Sequence, residues 1–263
     1  MDSFLLAVLI VAGIGLAAGI GLALANLFMG VKSNEKAEAI YKVLPGINCG
    51  ACSFSGCMSY AEALSTGRIK ITLCTVGGDE AVKHISEILG VKAAAADKKI
   101  AHIFCQGNGG YTSKKYIYQG INTCKAVSTM FGGDGACRFG CIGLGDCIEA
   151  CNYGALSTED GIVVVNSKKC VACSLCINTC PKHIISLIPK KKTPLVLCSS
   201  TDKGKQTRKV CAAGCIACKL CLKVCEYSAI SFNEGLAVID RNKCFGCGKC
   251  AEACKSNCIV ICN

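Results

Sequence analysis

The stretch from Cys170 to Pro181 reads Cys-Val-Ala-Cys-Ser-Leu-Cys-Ile-Asn-Thr-Cys-Pro. Its cysteines are separated by two, two and three residues, and a proline follows the last one. In this pattern three thiolates bind one [4Fe–4S] cluster, and the fourth reaches a neighbouring cluster. The stretch is therefore half of a two-cluster motif, and it predicts a second run of cysteines nearby.

The partner run lies upstream, and the whole arrangement occurs twice. The upstream cysteines are Cys137, Cys141, Cys147 and Cys151. Adding 74 to each cysteine number of both runs gives a cysteine in all eight cases, namely Cys211, Cys215, Cys221, Cys225, Cys244, Cys247, Cys250 and Cys254. Such a match indicates an internal duplication. The sequence therefore predicts two tandem ferredoxin-like two-cluster domains.

The composition favours metal ligation over disulfide bonding. The chain has 263 residues, of which 26 are cysteine. Small cysteine-rich modules bury too little apolar surface to fold without metals or disulfides. Disulfides need an oxidising compartment, whereas cysteines separated by two residues suit metal ligands on a loop.

The formal net charge of +11 first suggests a nucleic-acid or anionic-lipid partner. A [4Fe–4S] core held by four thiolates carries a net charge of about −2. Five such sites would bring the net charge to about +1, so much of the basic excess balances clusters. The nucleic-acid hypothesis weakens accordingly. The sequence has no dinucleotide-binding or Walker A motif, so no nucleotide site is predicted.

A membrane anchor is predicted at the N-terminus. Residues 4–29 are apolar except for Asn26. As a helix this run is about 39 Å long, more than the ~30 Å hydrocarbon core of a bilayer. The three residues before it lack the basic segment of a signal peptide. Lysines follow at positions 32, 36 and 42, so the positive-inside rule predicts a single-pass protein with the bulk of the chain cytoplasmic and the N-terminus outside.

Residues 31–92 are predicted to form a small helical domain with four cysteines. Apolar spacing predicts helices over residues 35–44, 58–64 and 79–89. The cysteines are Cys49, Cys52, Cys57 and Cys74. Four thiolates in so small a domain suit one [4Fe–4S] cluster. Zinc also accepts four thiolates and stays an alternative at this point.

Several motifs together resemble a known family. Leu44-Pro45-Gly46, the four cysteines of this domain, Gly77-Gly78 and Ile88-Leu89-Gly90 resemble the iron–sulfur domain of RnfB, the B subunits of Rnf-type ion-translocating electron-transport complexes. The run from Gly140 to Cys147, Gly-Cys-Ile-Gly-Leu-Gly-Asp-Cys, resembles the same family. The resemblance implies that electrons from reduced soluble ferredoxin pass through the subunit toward NAD⁺ while the complex moves Na⁺ or H⁺. It also implies that nicotinamide, flavin and ion sites belong to partner subunits in the cell membrane.

Two other functions are compatible with parts of the sequence. The N-terminal iron–sulfur domain also resembles part of corrinoid iron–sulfur proteins, so an electron-donor component of a corrinoid or one-carbon enzyme system is one alternative. A zinc-stabilised interaction protein is the other. The anchor and the duplicated ferredoxin pattern favour the electron-transfer subunit.

The sequence assigns twenty cysteines to five [4Fe–4S] clusters and predicts no catalytic residue. The predicted ligand sets are Cys49/Cys52/Cys57/Cys74, Cys137/Cys141/Cys147/Cys180, Cys151/Cys170/Cys173/Cys176, Cys215/Cys218/Cys221/Cys254 and Cys225/Cys244/Cys247/Cys250. In the fourth set either Cys211 or Cys218 could be the ligand, because the second repeat has Cys218 where the first has Leu144. We choose Cys218, since its spacing is the common one in ferredoxin loops.

The remaining cysteines and the histidines lie outside these motifs. Cys105, Cys124 and Cys198 are expected to be buried free thiols, and Cys258 and Cys262 are expected to be spare. The three histidines are expected to be structural: His84, His102 and His183.

The predicted fold class is α+β: a single N-terminal transmembrane helix, a small helical [4Fe–4S] domain and two tandem ferredoxin-like two-cluster domains. The predicted boundaries are 1–30 for the anchor, 31–92 for the four-cysteine domain, 93–136 for a connecting segment, and 137–190 and 191–263 for the two-cluster domains. Hairpins are expected to turn at residues 159–161 and 233–235, and a strand is expected over residues 101–105. A basic connector, with Lys190-Lys191-Lys192 followed by Lys203, Lys205, Arg208 and Lys209, is a candidate docking site for an acidic ferredoxin, with a solvated linker as the alternative.

Overall fold

The computed structural model describes residues 2–29, 34–92 and 98–262. The first element is helix α1 (Asp2–Met29). Its segment Phe4–Leu24 has a mean hydropathy of 2.6 and is long and apolar enough to cross a membrane. The large apolar side chains of this segment are exposed to the surroundings rather than packed against the rest of the chain. A helix of this kind is the expected form of a membrane anchor.

Three further helices form a small helical unit over residues 34–92. They are α2 (Glu35–Val43), α3 (Cys57–Ser65) and α4 (Gly78–Leu89), which confirms the three predicted helices. The side chain of Asn34 caps α2 by accepting the N–H of Ala37 at 3.2 Å. Helix α4 ends at Gly90, whose left-handed conformation (φ +66°) suits glycine. The core is formed by fully buried side chains of Ile40, Tyr60, Leu64 and Ile85.

The rest of the described chain consists of two units with similar architecture. The first unit, residues 98–190, contains β1 (Lys99–Ile103), α5 (Cys124–Thr129), α6 (Asp146–Glu149), β2 (Leu156–Glu159), β3 (Ile162–Val165), α7 (Leu175–Thr179) and β4 (Ile185–Pro189). The second unit, residues 193–262, contains β5 (Thr193–Val196), α8 (Gly204–Val210), α9 (Leu220–Lys223), β6 (Ile230–Asn233), β7 (Leu236–Ile239), α10 (Lys249–Glu252) and β8 (Ile259–Cys262). In each unit the first and last strands pair antiparallel, and the two central strands form a hairpin.

Both predicted hairpins are confirmed. The turn of the first lies at Asp160 and Gly161, with φ of 49° and 82°, and that of the second at Glu234 and Gly235, with φ of 46° and 84°. Two consecutive residues with positive φ are the signature of a type I′ turn, whose twist matches that of the flanking strands.

Strand β1 lies within the segment 93–136 that the sequence treats as a connection. It pairs with β4, with Ala101 opposite Leu187, and so closes the first unit at its far end. Strand β5 makes the equivalent pair with β8 in the second unit. The residues of a short apolar strand do not indicate which distant strand it pairs with. The sequence therefore predicts strand β1 but not its pairing with β4.

The two units pack against each other through these strand pairs. Ile100, Ile188 and Leu195 form a shared apolar cluster, with Cys262 packed against it. Nε2 of His102 lies 3.1 Å from Sγ of Cys262 across the junction. Burial lowers the pKa of His102, which keeps this imidazole neutral and is consistent with a structural role.

Candidate iron–sulfur sites

The four cysteine loops of the two units share one backbone conformation. In every loop the second and fourth residues after the first cysteine have positive φ, between 54° and 88°. These residues are Gly143 and Gly145, Ala172 and Ser174, Ala217 and Lys219, and Gly246 and Gly248. Left-handed residues placed in this alternating way turn successive backbone N–H groups toward one point, a nest that suits anionic groups such as iron–sulfur sites. Four of the eight residues are not glycine, so the conformation was not evident from the sequence.

Gly143 is required for a second reason. A Cβ at this position would lie 2.1 Å from the carbonyl oxygen of Gly161 in the hairpin turn. The first cysteine loop therefore approaches the β2–β3 hairpin too closely for any side chain. This contact fixes the loop that begins at Cys141 against the strands of its own unit.

One predicted ligand set of the first unit surrounds a cavity of about 350 Å³. The four cysteines that line it are Cys151, Cys170, Cys173 and Cys176. Sγ of Cys151 and Sγ of Cys170 each accept a backbone N–H at 3.4 Å, from Ala155 and Ala101. Burial, with the charges of the other three cysteines, raises the pKa of Cys176 to about 11. The structure brings this predicted set together.

The other cavity of the first unit contains one unexpected cysteine. Its cysteines are Cys124, Cys141, Cys147 and Cys180. The sequence leaves Cys124 as a free thiol and assigns Cys137 to this group, but Cys137 lines a different cavity at the junction of the two units. Burial raises the pKa of Cys147 to about 12, and the charges of its three neighbours in this cavity contribute. The structure therefore places Cys124 where the sequence predicts Cys137.

Asp146 holds Cys124 in this position. Its carboxylate accepts the backbone N–H groups of Cys124 at 2.7 Å and of Lys125 at 3.0 Å. These two donors belong to the first turn of α5, where helical N–H groups have no partner within the helix. Because Asp146 immediately precedes Cys147, it joins α5 directly to the cysteine loop.

The second unit contains two corresponding groups. One surrounds a cavity of about 320 Å³ and consists of Cys225, Cys244, Cys247 and Cys250. In the other, Cys215, Cys221 and Cys254 share one buried cluster. Burial raises the pKa of Cys221 to about 11, and the charges of Cys215, Cys218 and Cys254 add to this shift. Cys218 is exposed in the loop that joins Cys215 to Cys221. Cys211 lies instead at the junction cavity.

Cys258 is closely associated with this last group. Its Sγ lies 3.5 Å from Sγ of Cys254, and it is 2% exposed. Hydrogen bonding from Cys258 lowers the pKa of Cys254 to about 5. The sequence treats Cys258 as spare, whereas the structure makes it a buried hydrogen-bonding partner of a predicted ligand.

The N-terminal set lies around the loop before α3 and the turn before α4. Asn48 accepts the backbone N–H of Cys57 at 2.7 Å, and Sγ of Cys74 accepts the N–H of Gly77 at 3.4 Å. Burial raises the pKa of Cys74, and the charges of Cys57, Cys52 and Cys49 raise it further. Cys52, Cys57 and Cys74 pack against the same apolar core, and Cys49 precedes Cys52 by three residues in the same loop.

This N-terminal group lies close to the first unit. Oγ1 of Thr75 donates to the carbonyl oxygen of Ala172, inside the cysteine loop, at 3.1 Å. Tyr153 lines the cavity of the Cys170 group, and burial together with the charges of Cys173 and Cys49 raises its pKa. The N-terminal site and the Cys170 loop are thus adjacent.

The chemistry of these groups fits iron–sulfur clusters. Within the described residues, no three His, Cys, Asp or Glu side chains converge on a single metal ion. A [4Fe–4S] cluster needs a wider arrangement, because each thiolate binds a different iron. Cavities lined by cysteines and by inward N–H groups provide it, and metal binding would keep the thiols deprotonated despite their raised pKa values.

Comparisons with known proteins agree with this chemistry. A family model described as a putative Fe-S cluster matches residues 44–76, and one described as a 4Fe-4S dicluster domain matches residues 214–261. The B subunit of the Na(+)-translocating ferredoxin:NAD(+) oxidoreductase complex of Acetobacterium woodii is 38% identical over 98% of this chain and 78% of its own length. The B subunit of the ion-translocating oxidoreductase complex of Methanosarcina acetivorans is 38% identical over 99% of this chain and 100% of its own. The B subunit of the proton-translocating ferredoxin:NAD(+) oxidoreductase complex of Clostridium ljungdahlii is 32% identical over 98% and 93%.

The chain belongs to the B subunits of ion-translocating oxidoreductase complexes. The family resemblance carried by the motifs is thus confirmed, and the protein is an iron–sulfur protein. Sequence reasoning missed the positions of Cys105, Cys124 and Cys198. One signal for Cys124 was available, because Leu144 leaves the first loop one cysteine short.

Proposed function

We propose that this protein accepts electrons from reduced ferredoxin and relays them to partner subunits of a membrane-bound ferredoxin:NAD⁺ oxidoreductase that moves Na⁺ or H⁺. The observation that carries the proposal is the set of four cysteine loops with one shared nest conformation, in a chain whose full-length relatives are named for this activity. When bound, each [4Fe–4S] cluster accepts and releases a single electron. Nicotinamide and ion sites then belong to the partners.

We assign five [4Fe–4S] clusters to the groups described above. Four keep the ligand sets predicted from the sequence, including Cys218 in the second unit. The fifth set becomes Cys124/Cys141/Cys147/Cys180, with Cys124 replacing Cys137 because Cys124 lines that cavity. The first two-cluster domain in this proposal begins at Lys98 rather than at Cys137, because β1 pairs with β4 of that domain.

The proposed topology follows from charge. The helix Phe4–Leu24 would cross the cell membrane once, with the cysteine-rich bulk in the cytoplasm and the N-terminus outside. Lysines at positions 32, 36 and 42 support this orientation by the positive-inside rule. Cytoplasmic sites would be reachable by soluble ferredoxin.

A lysine-rich groove is the proposed docking site for that donor. Lys98, Lys99, Lys168 and Lys190 line a groove that also contains Cys170. Nζ of Lys190 donates to the carbonyl oxygen of Ser167 at 3.0 Å, so it is fixed at this groove. Lys191 and Lys192 are exposed beside it. Basic groups near a cluster loop would steer an acidic ferredoxin toward it.

The test is anaerobic purification from membranes. We expect integral membrane subunits to copurify with the chain, and we expect reduced ferredoxin to bleach its visible cluster absorption in the absence of NAD⁺. A preparation without clusters, or one that copurifies with a methyltransferase and no membrane protein, would contradict the proposal. The second outcome would favour the corrinoid or one-carbon alternative.

A further inference from the structure

The junction between the two units contains a cavity with four cysteines outside the five groups. These are Cys105 and Cys137 of the first unit, and Cys198 and Cys211 of the second. The cavity measures about 480 Å³, and those of the cysteine groups at the Cys141 and Cys170 loops measure about 370 and 350 Å³. It is therefore of comparable size. Cys141, whose thiol also lines the neighbouring cavity of the first unit, reaches its edge, and the other four cysteines belong to this cavity alone.

Two of these cysteines occupy equivalent positions in the two units. Sγ of Cys105 accepts the N–H groups of Gly107 and Cys141, each at 3.4 Å. Sγ of Cys198 accepts those of Ser200 at 3.5 Å and Cys215 at 3.3 Å. In both cases one N–H donor is the residue two positions after the accepting cysteine, and the other donor is the first cysteine of a cluster loop. Two N–H groups aimed at each sulfur suit a cluster ligand.

The other two cysteines are related in the same way. Cys137 and Cys211 each begin a tight turn in which a glycine three residues later donates its N–H back to the cysteine carbonyl, at 3.2 and 3.3 Å. The glycines are Gly140 and Gly214, and a Cβ on either would lie 3.6 Å from the Cβ of its cysteine. Both turns lead directly into a cluster loop.

The sulfur atoms of Cys105 and Cys211 both lie close to Gly107. A Cβ on this residue would lie 3.5 Å from Sγ of Cys211 and 3.6 Å from Sγ of Cys105. These two sulfurs, from different units, therefore cannot be further apart than about twice that distance. Gly107 leaves room for them because it has no side chain.

Hydrogen bonds between the units fix the walls of the cavity. Ser199 donates to the carbonyl oxygen of Phe104 at 2.8 Å, and Thr112 donates to that of Val210 at 2.7 Å. Arg138 forms an ion pair with Asp202 at 2.7 Å. Thr112 also forms a β-bridge with Cys211. Each bond joins residues next to, or close to, one of the four cysteines, so the junction positions the thiols before any metal binds.

We propose that Cys105, Cys137, Cys198 and Cys211 hold a sixth [4Fe–4S] cluster, with two ligands from each unit. This goes beyond the proposed function, which requires only the other five groups. The site is in direct contact with its neighbours, because Cys105 accepts the N–H of Cys141 and Cys198 accepts that of Cys215. The six cysteine groups then form an unbroken series from the N-terminal domain through both units.

The test counts clusters in the full-length chain, purified anaerobically in detergent and reconstituted with iron and sulfide. Native mass spectrometry, iron and sulfide analysis, and spin integration by electron paramagnetic resonance give three independent counts. We expect six clusters in the parent, or about twenty-four irons, and five in the double variant Cys105→Ser/Cys198→Ser. The matched control is Cys262→Ser, a half-buried cysteine of the same junction outside the cavity, which should retain all six.

Two results would overturn the proposal. One is a parent that contains five clusters after full reconstitution. The other is a double variant that retains the cluster count of the parent. If the double variant does not fold, the count in the parent decides the question alone.

Discussion

Replacing Cys124 by serine should remove a cluster that the sequence pattern would leave intact. Cys124 is the first residue of α5 and lies with Cys141, Cys147 and Cys180 around one cavity. The sequence instead gives the fourth position to Cys137. The assignment from the structure predicts that Cys124→Ser removes the cluster of this cavity, whereas the assignment from the sequence predicts this effect for Cys137→Ser.

The size of the effect follows from the ligand count. Without Cys124 one corner of the site has no thiolate, so we expect a loss of about four irons per chain. The structure also predicts a rescue. Leu144 lies in its loop where Cys218 lies in the second unit, between two left-handed residues in both cases. Cys124→Ser/Leu144→Cys should therefore regain the lost irons, because the new thiol comes from the loop itself.

The assay is iron and sulfide analysis of the detergent-solubilised chain after anaerobic reconstitution, with near-ultraviolet circular dichroism to check folding. Lys125→Ser is the matched control, since it changes the neighbouring, exposed residue of the same helix. Unchanged iron in Cys124→Ser would refute the assignment. A Cys124→Ser variant that folds and loses iron, but is not rescued by Leu144→Cys, would refute the proposed equivalence of the two loops.

Three further predictions concern other parts of the molecule. Asp146→Ala removes two hydrogen bonds to α5, and each such bond to a half-buried carboxylate is worth about 1.5 kcal/mol, so this variant should lower the thermal stability of the site around Cys147. Asp146→Asn should lower it less. Equal melting temperatures in the parent and both variants would contradict this. Deletion of residues 1–30 should give a soluble chain that still contains clusters but fails to restore ferredoxin-dependent NAD⁺ reduction in membranes of a strain lacking this protein, and full restoration would show that the anchor is dispensable. Replacement of residues 190–192 by glutamate should slow reduction by ferredoxin at low salt without changing iron content, with Lys223→Glu/Lys255→Glu, two exposed lysines outside the connector, as a charge-reversal control. Since the Debye length is about 10 Å at 0.1 M salt, a parent rate insensitive to salt would place the donor elsewhere.

The repeated parts of the structure were predictable from the sequence. Spacing and the offset of 74 residues located all four cysteine loops, and residues with low β-propensity at 159–161 and 233–235 located both hairpin turns. Local chemistry determines these features, because ligand spacing and turn conformation involve neighbouring residues only. The three helices of the N-terminal domain were predictable for the same reason.

The junction was not predictable, because its cysteines come from segments far apart in the chain. Cys105 and Cys198 each follow the first strand of a unit, and each looked like an isolated buried thiol. Only the pairing of β1 with β4 and of β5 with β8 places them beside Cys137 and Cys211. Single-sequence patterns do not record such pairings.

The first unit departs from the second in two ways: it has a longer segment before its first cluster loop, and that loop lacks one cysteine. The first departure compensates for the second. Cys105 and Cys198 are related by an offset of 93 rather than 74, so the first unit has a longer segment between its first strand and its first cluster loop. That longer segment contains α5 and Cys124. The same unit has Leu144 in place of the loop cysteine, and it has Asp146, which binds α5, where the second unit has Leu220. In the proposed ligand assignment, the extra segment thus supplies the ligand that its loop lacks. The same assignment leaves Cys137 for the junction in the first unit, as it leaves Cys211 in the second. Each unit then contributes two cysteines to the junction cavity, and together they give the four thiols that a [4Fe–4S] cluster needs.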